Sequence, residues 1–212
     1  MTPVLYIGNR RFSSWSLRAW LVLKRAGIAF DDTLIPLNER ETRKAVSAIS
    51  PGGTVPALHT RNAVIWDSLA ISEWAAEQVP ELWPAHEGKR GRARAAVSMM
   101  HSGFLALRQA CPMDLARRPS PISLNDPTRT DIAAVQALWH EVKSVDGDWL
   151  FGDWSIADAF FTPVAARFHA YDIPLHAEAQ AYCDTLLADG HYREWHEAAR
   201  AETFANPYET QI

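Results

Sequence analysis

Ser50 to Glu73 reads SPGGTVPALHTRNAVIWDSLAISE, and three backbone devices lie within it. Pro51-Gly52-Gly53 is a turn signal, because proline presets φ and the glycines accept φ > 0. Val55-Pro56-Ala57-Leu58 then reads as a short strand with a proline in its first positions, where a residue unable to donate to the ladder is tolerated. A strand start of this kind leaves Val55 with backbone groups that another partner can use. After a turn at Arg61-Asn62, Ala63 to Trp66 reads as a second strand, and Asp67-Ser68 opens an apolar helix through Leu69, Ile71, Trp74 and Ala75. A plain hairpin and a capped helix satisfy this spacing. Asp67 and Ser68 nevertheless set a carboxylate and a hydroxyl beside free helix N–H groups, a corner suited to a ligand with both an ammonium and a carboxylate.

Upstream, Pro3 to Gly8 reads as an apolar strand, followed by the polar loop Arg10-Arg11 and then Phe12-Ser13-Ser14. Leu17, Trp20, Leu21 and Leu23 fall at helical spacing between Trp15 and Ala26, with Lys24 and Arg25 in the last turn and Gly27 as the stop. Ile28 to Leu37 reads as a second strand, and Asn38 is placed to cap a polar helix over Glu39 to Ile49. Strand, helix and strand over residues 3 to 37 require a parallel pair with a right-handed crossover. The hairpin and its helix complete a βαβαββα order over about 80 residues, a small sheet with helices on both faces.

Downstream of Val79 the pattern changes. Pro80, Pro84 and Gly88 punctuate a linker, and no convincing strand follows. The spacing predicts helices over Lys89 to Arg108 (stripe Val97, Met100, Phe104, Leu107) and Thr128 to Val145, joined by a proline- and serine-rich connection over Ala110 to Asp126. Ser155 and Asp158 have the S-x-x-D spacing of a capping box. The helix they start runs past Phe160 and Phe161 toward His169 and contains Pro163, which predicts a kink. Two more helices are expected, over Leu175 to Ala188 and His191 to Ala201. The chain thus divides into residues 1–80, a linker at 81–88, and an all-helical part at 89–212.

Composition narrows the function. With 48 % hydrophobic residues, 22 % charged and a net charge of −4, nothing indicates a nucleic-acid surface or an anionic membrane. No apolar run is long enough to span a bilayer or form a signal sequence. Cys111 and Cys183 are too few and too isolated for a disulfide framework or a metal site, so no metal is expected and a reducing, cytoplasmic setting fits.

A small βαβ–ββα unit with a Val-Pro strand start and an acidic-Ser helix start, followed by helices opened by S-x-x-D, resembles the cytosolic glutathione transferase family over nearly the whole chain. The resemblance implies a thioredoxin-like first domain and glutathione as co-substrate. It also implies a cis bond at Pro56, with the Val55 backbone pairing to the cysteinyl part of the tripeptide, and Asp67-Ser68 holding its γ-glutamyl end. Phe12-Ser13-Ser14-Trp15-Ser16-Leu17-Arg18 is similar to the zeta-class motif S-S-C-S-x-R, with Trp15 in the cysteine position. Ser13 then matches the serine facing the sulfur, with Ser14 beside it. A thiol of pKa about 8.5 is only a few per cent ionised at neutral pH, and the thiolate is the nucleophile. A donating hydroxyl and a helix N-terminus both favour the anion.

The expected activity is addition of glutathione to a small hydrophobic electrophile, with Met100, Phe104, Leu107, Cys111 and Met113 as the opposite wall. Arg40, Arg43 and Lys44 are nearby basic candidates for the glycine carboxylate. A glutathione-dependent isomerase of the maleylacetoacetate type and a non-catalytic glutathione-binding module are the alternatives. A thiol-disulfide oxidoreductase would need a cysteine at the start of the first helix. The resemblance further implies a homodimer, joined through the first domain and the first two helices of the second.

Overall fold

The computed structural model describes residues 2–37 and 39–205. Its first part runs β1 (Val4–Ile7), α1 (Ser14–Arg25), β2 (Asp31–Leu34), α2 (Thr42–Ile49), β3 (Ala57–His59), β4 (Val64–Trp66) and α3 (Ser68–Gln78). The sheet order is β2-β1-β3-β4. Val4 pairs with Asp31 in parallel, while Leu5 faces Leu58 and Leu58 faces Ile65 in antiparallel ladders. The expected βαβαββα order is present, a thioredoxin-like domain, with each strand shorter than the expected one. The strand β3 begins one residue after Pro56, and the Val55–Pro56 bond is cis. Asn38, the expected cap of α2, lies outside the described residues; the N-cap position is Glu41, whose side chain makes no capping bond.

The second part is helical: α4 (Glu87–Ser102), α5 (Leu105–Ala110), α6 (Asp126–Val142), α7 (Ile156–Ala170), α8 (Ala177–Ala188) and α9 (Gly190–Ala201). Two expectations need correction. Gly88 lies inside α4, not in a linker. The single helix over Lys89 to Arg108 is two, because Gly103 leaves the helix and Phe104 takes a left-handed conformation with φ 58°. Pro163 is accommodated within α7, which carries through it without interruption.

The core spans both parts. The apolar face of α1 packs on α3 on one side and on α7 on the other. Leu17, Val22 and Leu23 of α1 and Phe160, Phe161 and Val164 of α7 are fully buried. α1 is thereby held between α3 and the helical domain. The α7 capping box is formed as the S-x-x-D spacing predicts: Asp158 accepts from Ser155 N–H at 2.7 Å. The same carboxylate also accepts from Leu150 N–H at 3.1 Å and Tyr182 O–H at 2.7 Å.

Candidate active site

The loop from β1 to α1 is a tight turn in which Phe12 and Ser13 N–H donate to Asn9 O at 3.1 and 2.8 Å. Ser13 is the N-cap of α1, its Oγ accepting from Ser16 N–H at 3.3 Å. Its hydroxyl also donates to Ser16 Oγ at 2.8 Å, which in turn accepts from Gly8 N–H at 3.0 Å. A hydroxyl both donates and accepts and rotates to suit. Ser16 can therefore reverse this bond and donate to Ser13, releasing the Ser13 proton toward a ligand. Ser14 Oγ accepts from Arg167 Nη2 of α7 at 3.3 Å.

A cavity of about 630 Å³ opens over this corner. Ser13, Ser14 and Val55 line it, together with Trp15, Arg43, Arg108 and Arg167. Pro56 is buried. Asp67 and Ser68 are not on this wall. Asp67 caps α3 from a positive φ of 77°, its Oδ1 accepting from Leu69 N–H at 2.7 Å and its Oδ2 lying 3.3 Å from His101 Nε2. The Asp67 side chain is 40 % exposed. Ser68 is fully buried, and its Oγ has no hydrogen-bond partner among the described residues. Of the three basic candidates near α2, Arg43 lines the cavity and Arg40 and Lys44 do not.

The opposite wall differs from the expected one. Met100, Leu107, Cys111 and Met113 are core residues and Phe104 is almost as buried. The surface they were expected to supply comes from Trp15 and two arginines. Trp15 is flanked by cations: the Arg18 guanidinium lies 4.6 Å and that of Arg108 5.0 Å from its ring, with His101 edge-on at 5.1 Å. Arg108 donates to the carbonyls of Gly103 at 2.9 Å, His101 at 3.3 Å and Met100. Arg167 donates to Cys111 O at 2.9 Å and Pro163 O at 3.2 Å.

Arg18 is fully buried, stacked also on Phe160, and its Nε, Nη1 and Nη2 have no hydrogen-bond partner among the described residues. Burial, then Arg108 and Arg167, hold its pKa well below the ordinary guanidinium value, with Asp67 opposing. Arg18 was legible as the last residue of the S-S-x-S-x-R motif, but no spacing rule marks Arg108 and Arg167, since arginine in an amphipathic helix reads as solvated. Ser16 was legible only as a member of the S-S-x-S motif. Burial pushes the Cys111 thiol up to about 11 and that of Cys183 up to about 12, so neither is a thiolate near neutral pH.

Residues 12–78 match the family model described as the glutathione S-transferase N-terminal domain. The chain is 30 % identical over 199 residues to a maleylpyruvate isomerase from Ralstonia, covering 87 % of this chain and 93 % of that protein. Among solved structures, the holo form of a bacterial zeta-class glutathione S-transferase, maleyl pyruvate isomerase, superposes with a TM-score of 0.73 at 26 % identity, over 95 % of this chain and all of that one. A glutathione transferase homologue from Burkholderia with bound glutathione superposes with a TM-score of 0.75 at 22 % identity, which speaks to the fold, over 95 % of this chain. With its Val55–Pro56 cis bond, its paired serines at the α1 N-terminus and a relative matched along nearly its whole length, the chain belongs to the glutathione S-transferase family.

Proposed function

We propose that this protein is a glutathione-dependent enzyme that acts on a small unsaturated carboxylic acid, isomerising or conjugating it. The observation that carries the reading is the lining of one cavity by Ser13 and Ser14, at the N-terminus of α1, together with Arg108 and Arg167 of the helical domain, Arg167 donating to Ser14 at 3.3 Å. When bound, glutathione supplies a thiolate nucleophile that adds to an activated carbon and, in isomerisation, leaves it again. Ser13 donates to the sulfur while Ser16 reverses its bond to hold Ser13, and the α1 N-terminus adds a favourable field for the anion. Arg108 and Arg167 orient a carboxylate and balance the negative charge that develops on the adduct. The expected hydrophobic electrophile thus becomes one with an acidic group, in line with the maleylpyruvate named for the Ralstonia relative.

In this reading Val55 pairs by its backbone with the cysteinyl unit, Pro56 fixes that turn, and Asp67 receives the γ-glutamyl end, while Ser68, expected beside it, is fully buried. Arg43, on the cavity wall, is the basic residue for the glycine carboxylate. Exposed Trp66 on β4, Met99 on α4 and Leu105 on α5 support a homodimer built from those elements. Two buried free cysteines fit a cytoplasmic, reducing setting. No helix among the described residues is long and apolar enough to cross a membrane.

The test is calorimetry with glutathione, followed by turnover of maleylpyruvate monitored by ultraviolet absorbance. Asp67→Asn keeps the α3 cap, since Asn serves at N-caps and tolerates positive φ. It removes the charge facing the ligand ammonium, and affinity should fall about ten- to a hundredfold. Wild type that binds no glutathione overturns the reading, and unchanged affinity in Asp67→Asn overturns the role of Asp67.

A further inference from the structure

We propose that Glu202, just past the end of α9, is a positioning residue that fixes the active-site loop and through it the Ser13 hydroxyl. Its Oε1 accepts from Arg10 N–H at 2.8 Å and its Oε2 from Arg11 N–H at 3.1 Å, across 192 and 191 residues of chain. Two consecutive peptide N–H groups converging on one anion form a small backbone nest, and here the helical domain supplies the anion.

Both carbonyls of this dipeptide and the Arg11 guanidinium are bonded to the helical domain, while the Arg10 guanidinium pairs with Asp32 of β2. Arg10 O accepts from Trp195 Nε1–H at 3.0 Å, and Arg11 O accepts from Leu115 N–H at 3.2 Å. The Arg11 guanidinium grips the Asp114 carboxylate with both Nε and Nη2. Inside the loop, the turn is closed by Phe12 and Ser13 N–H on Asn9 O. The two residues that lead the chain into Phe12 and Ser13 are therefore held by the helical domain, and Glu202 takes both of their N–H groups.

Removing the carboxylate leaves these adjacent donors to water and lets the turn shift on the scale of an ångström. A misplacement of that size can lower a rate by about a hundredfold. Because the glutathione contacts assigned to Val55 and Asp67 lie on other elements, the effect should fall on kcat more than on KM.

The catalytic part of this inference rests on the glutathione reading, so the experiment uses two readouts on the full chain carrying Glu202→Ala, Glu202→Gln or Glu202→Asp. Hydrogen exchange in peptides covering residues 9–17 needs no ligand. It should speed up about tenfold or more in Glu202→Ala and less in Glu202→Gln, which keeps one carbonyl acceptor. With glutathione, Glu202→Ala should lose about tenfold in kcat, with KM for glutathione changed less than about twofold, and the bound thiol should titrate at higher pH. Unchanged exchange overturns the latch. Faster exchange with kcat and the thiol titration unmoved in an active enzyme overturns the positioning role. Wild type without glutathione turnover defeats the functional reading, and exchange alone then decides the latch. If Glu202→Ala does not fold, the Gln and Asp variants give the same comparison.

Discussion

His101 Nε2 lies 3.3 Å from Asp67 Oδ2, joining the last turn of α4 to the first turn of α3 across the two domains. Burial lowers the His101 pKa, Asp67 opposes, and Arg18 and Arg108 lower it further. A histidine whose pKa is depressed by folding binds its proton more tightly in the unfolded chain, so protonation favours unfolding. This contribution to stability is whole above about pH 6.5 and is lost as the pH falls below it. His101→Gln should flatten the fall in urea midpoint between about pH 7.5 and 5. An equally steep fall in the variant would assign the loss to other groups, such as His196, whose pKa burial also lowers.

The two-hydroxyl relay gives a graded outcome. Ser13→Ala should raise the pKa of bound glutathione by about one unit, the size of one hydrogen bond to a thiolate. Ser16→Ala should raise it by less, because Ser13 keeps its own hydroxyl but loses the partner that holds it. Titration of thiolate absorbance in the binary complex measures both. A larger shift in Ser14→Ala than in Ser13→Ala would move the sulfur contact to the next residue.

Arg18 carries a buried charge without a hydrogen bond among the described residues, and two other guanidiniums act against it. Replacing a buried charged group by an apolar side chain of similar length is often neutral or stabilising by about 1–4 kcal/mol. Arg18→Met should therefore raise the denaturant midpoint by about 1 kcal/mol in stability or more. A loss of stability would mean that stacking on Trp15 and Phe160 outweighs the desolvation of the charge.

Asp158 accepts from the N–H of Leu150 and Ser155 and from the Tyr182 and Ser155 hydroxyls, all in a buried setting. Asp158→Ala leaves several of these donors unpaired at once and should lower stability by about 3 kcal/mol or more. Tyr182→Phe removes a single donor and should cost about 1 kcal/mol. Chemical denaturation of both variants checks the ratio, and near-equal losses would show that the Tyr182 bond dominates the box.

The fold was largely legible because its signals are local. Pro56, the Asp67 cap and the Ser155–Asp158 box each act within a few residues, and the helix periodicities read directly from the chain. The break after α4 was hidden because Val97, Met100, Phe104 and Leu107 keep helical spacing across it; Gly103 was the available sign. Half of the candidate site was hidden for another reason. Ser13, Ser14 and Val55 follow from motif and turn chemistry, but Arg108 and Arg167 reach the same cavity from separate helices. Only tertiary packing brings them there. The apolar residues expected at that wall were drawn into the core by the same packing.

The interruption at Phe104 also decides what kind of cation Arg108 is. Ending α4 there exposes carbonyls that α5 does not take up, and Arg108 turns back to bind those of Met100, His101 and Gly103. Peptide dipoles orient a guanidinium without neutralising it, whereas a carboxylate in contact would do both. Asp131 acts on Arg108 through its field, and its Oδ2 accepts from Leu107 N–H at 3.0 Å. The broken helix thus works as a mount for the Arg108 charge, oriented by peptide dipoles and reached by the field of Asp131. Under the proposed function, an incoming acid supplies the contact counter-ion.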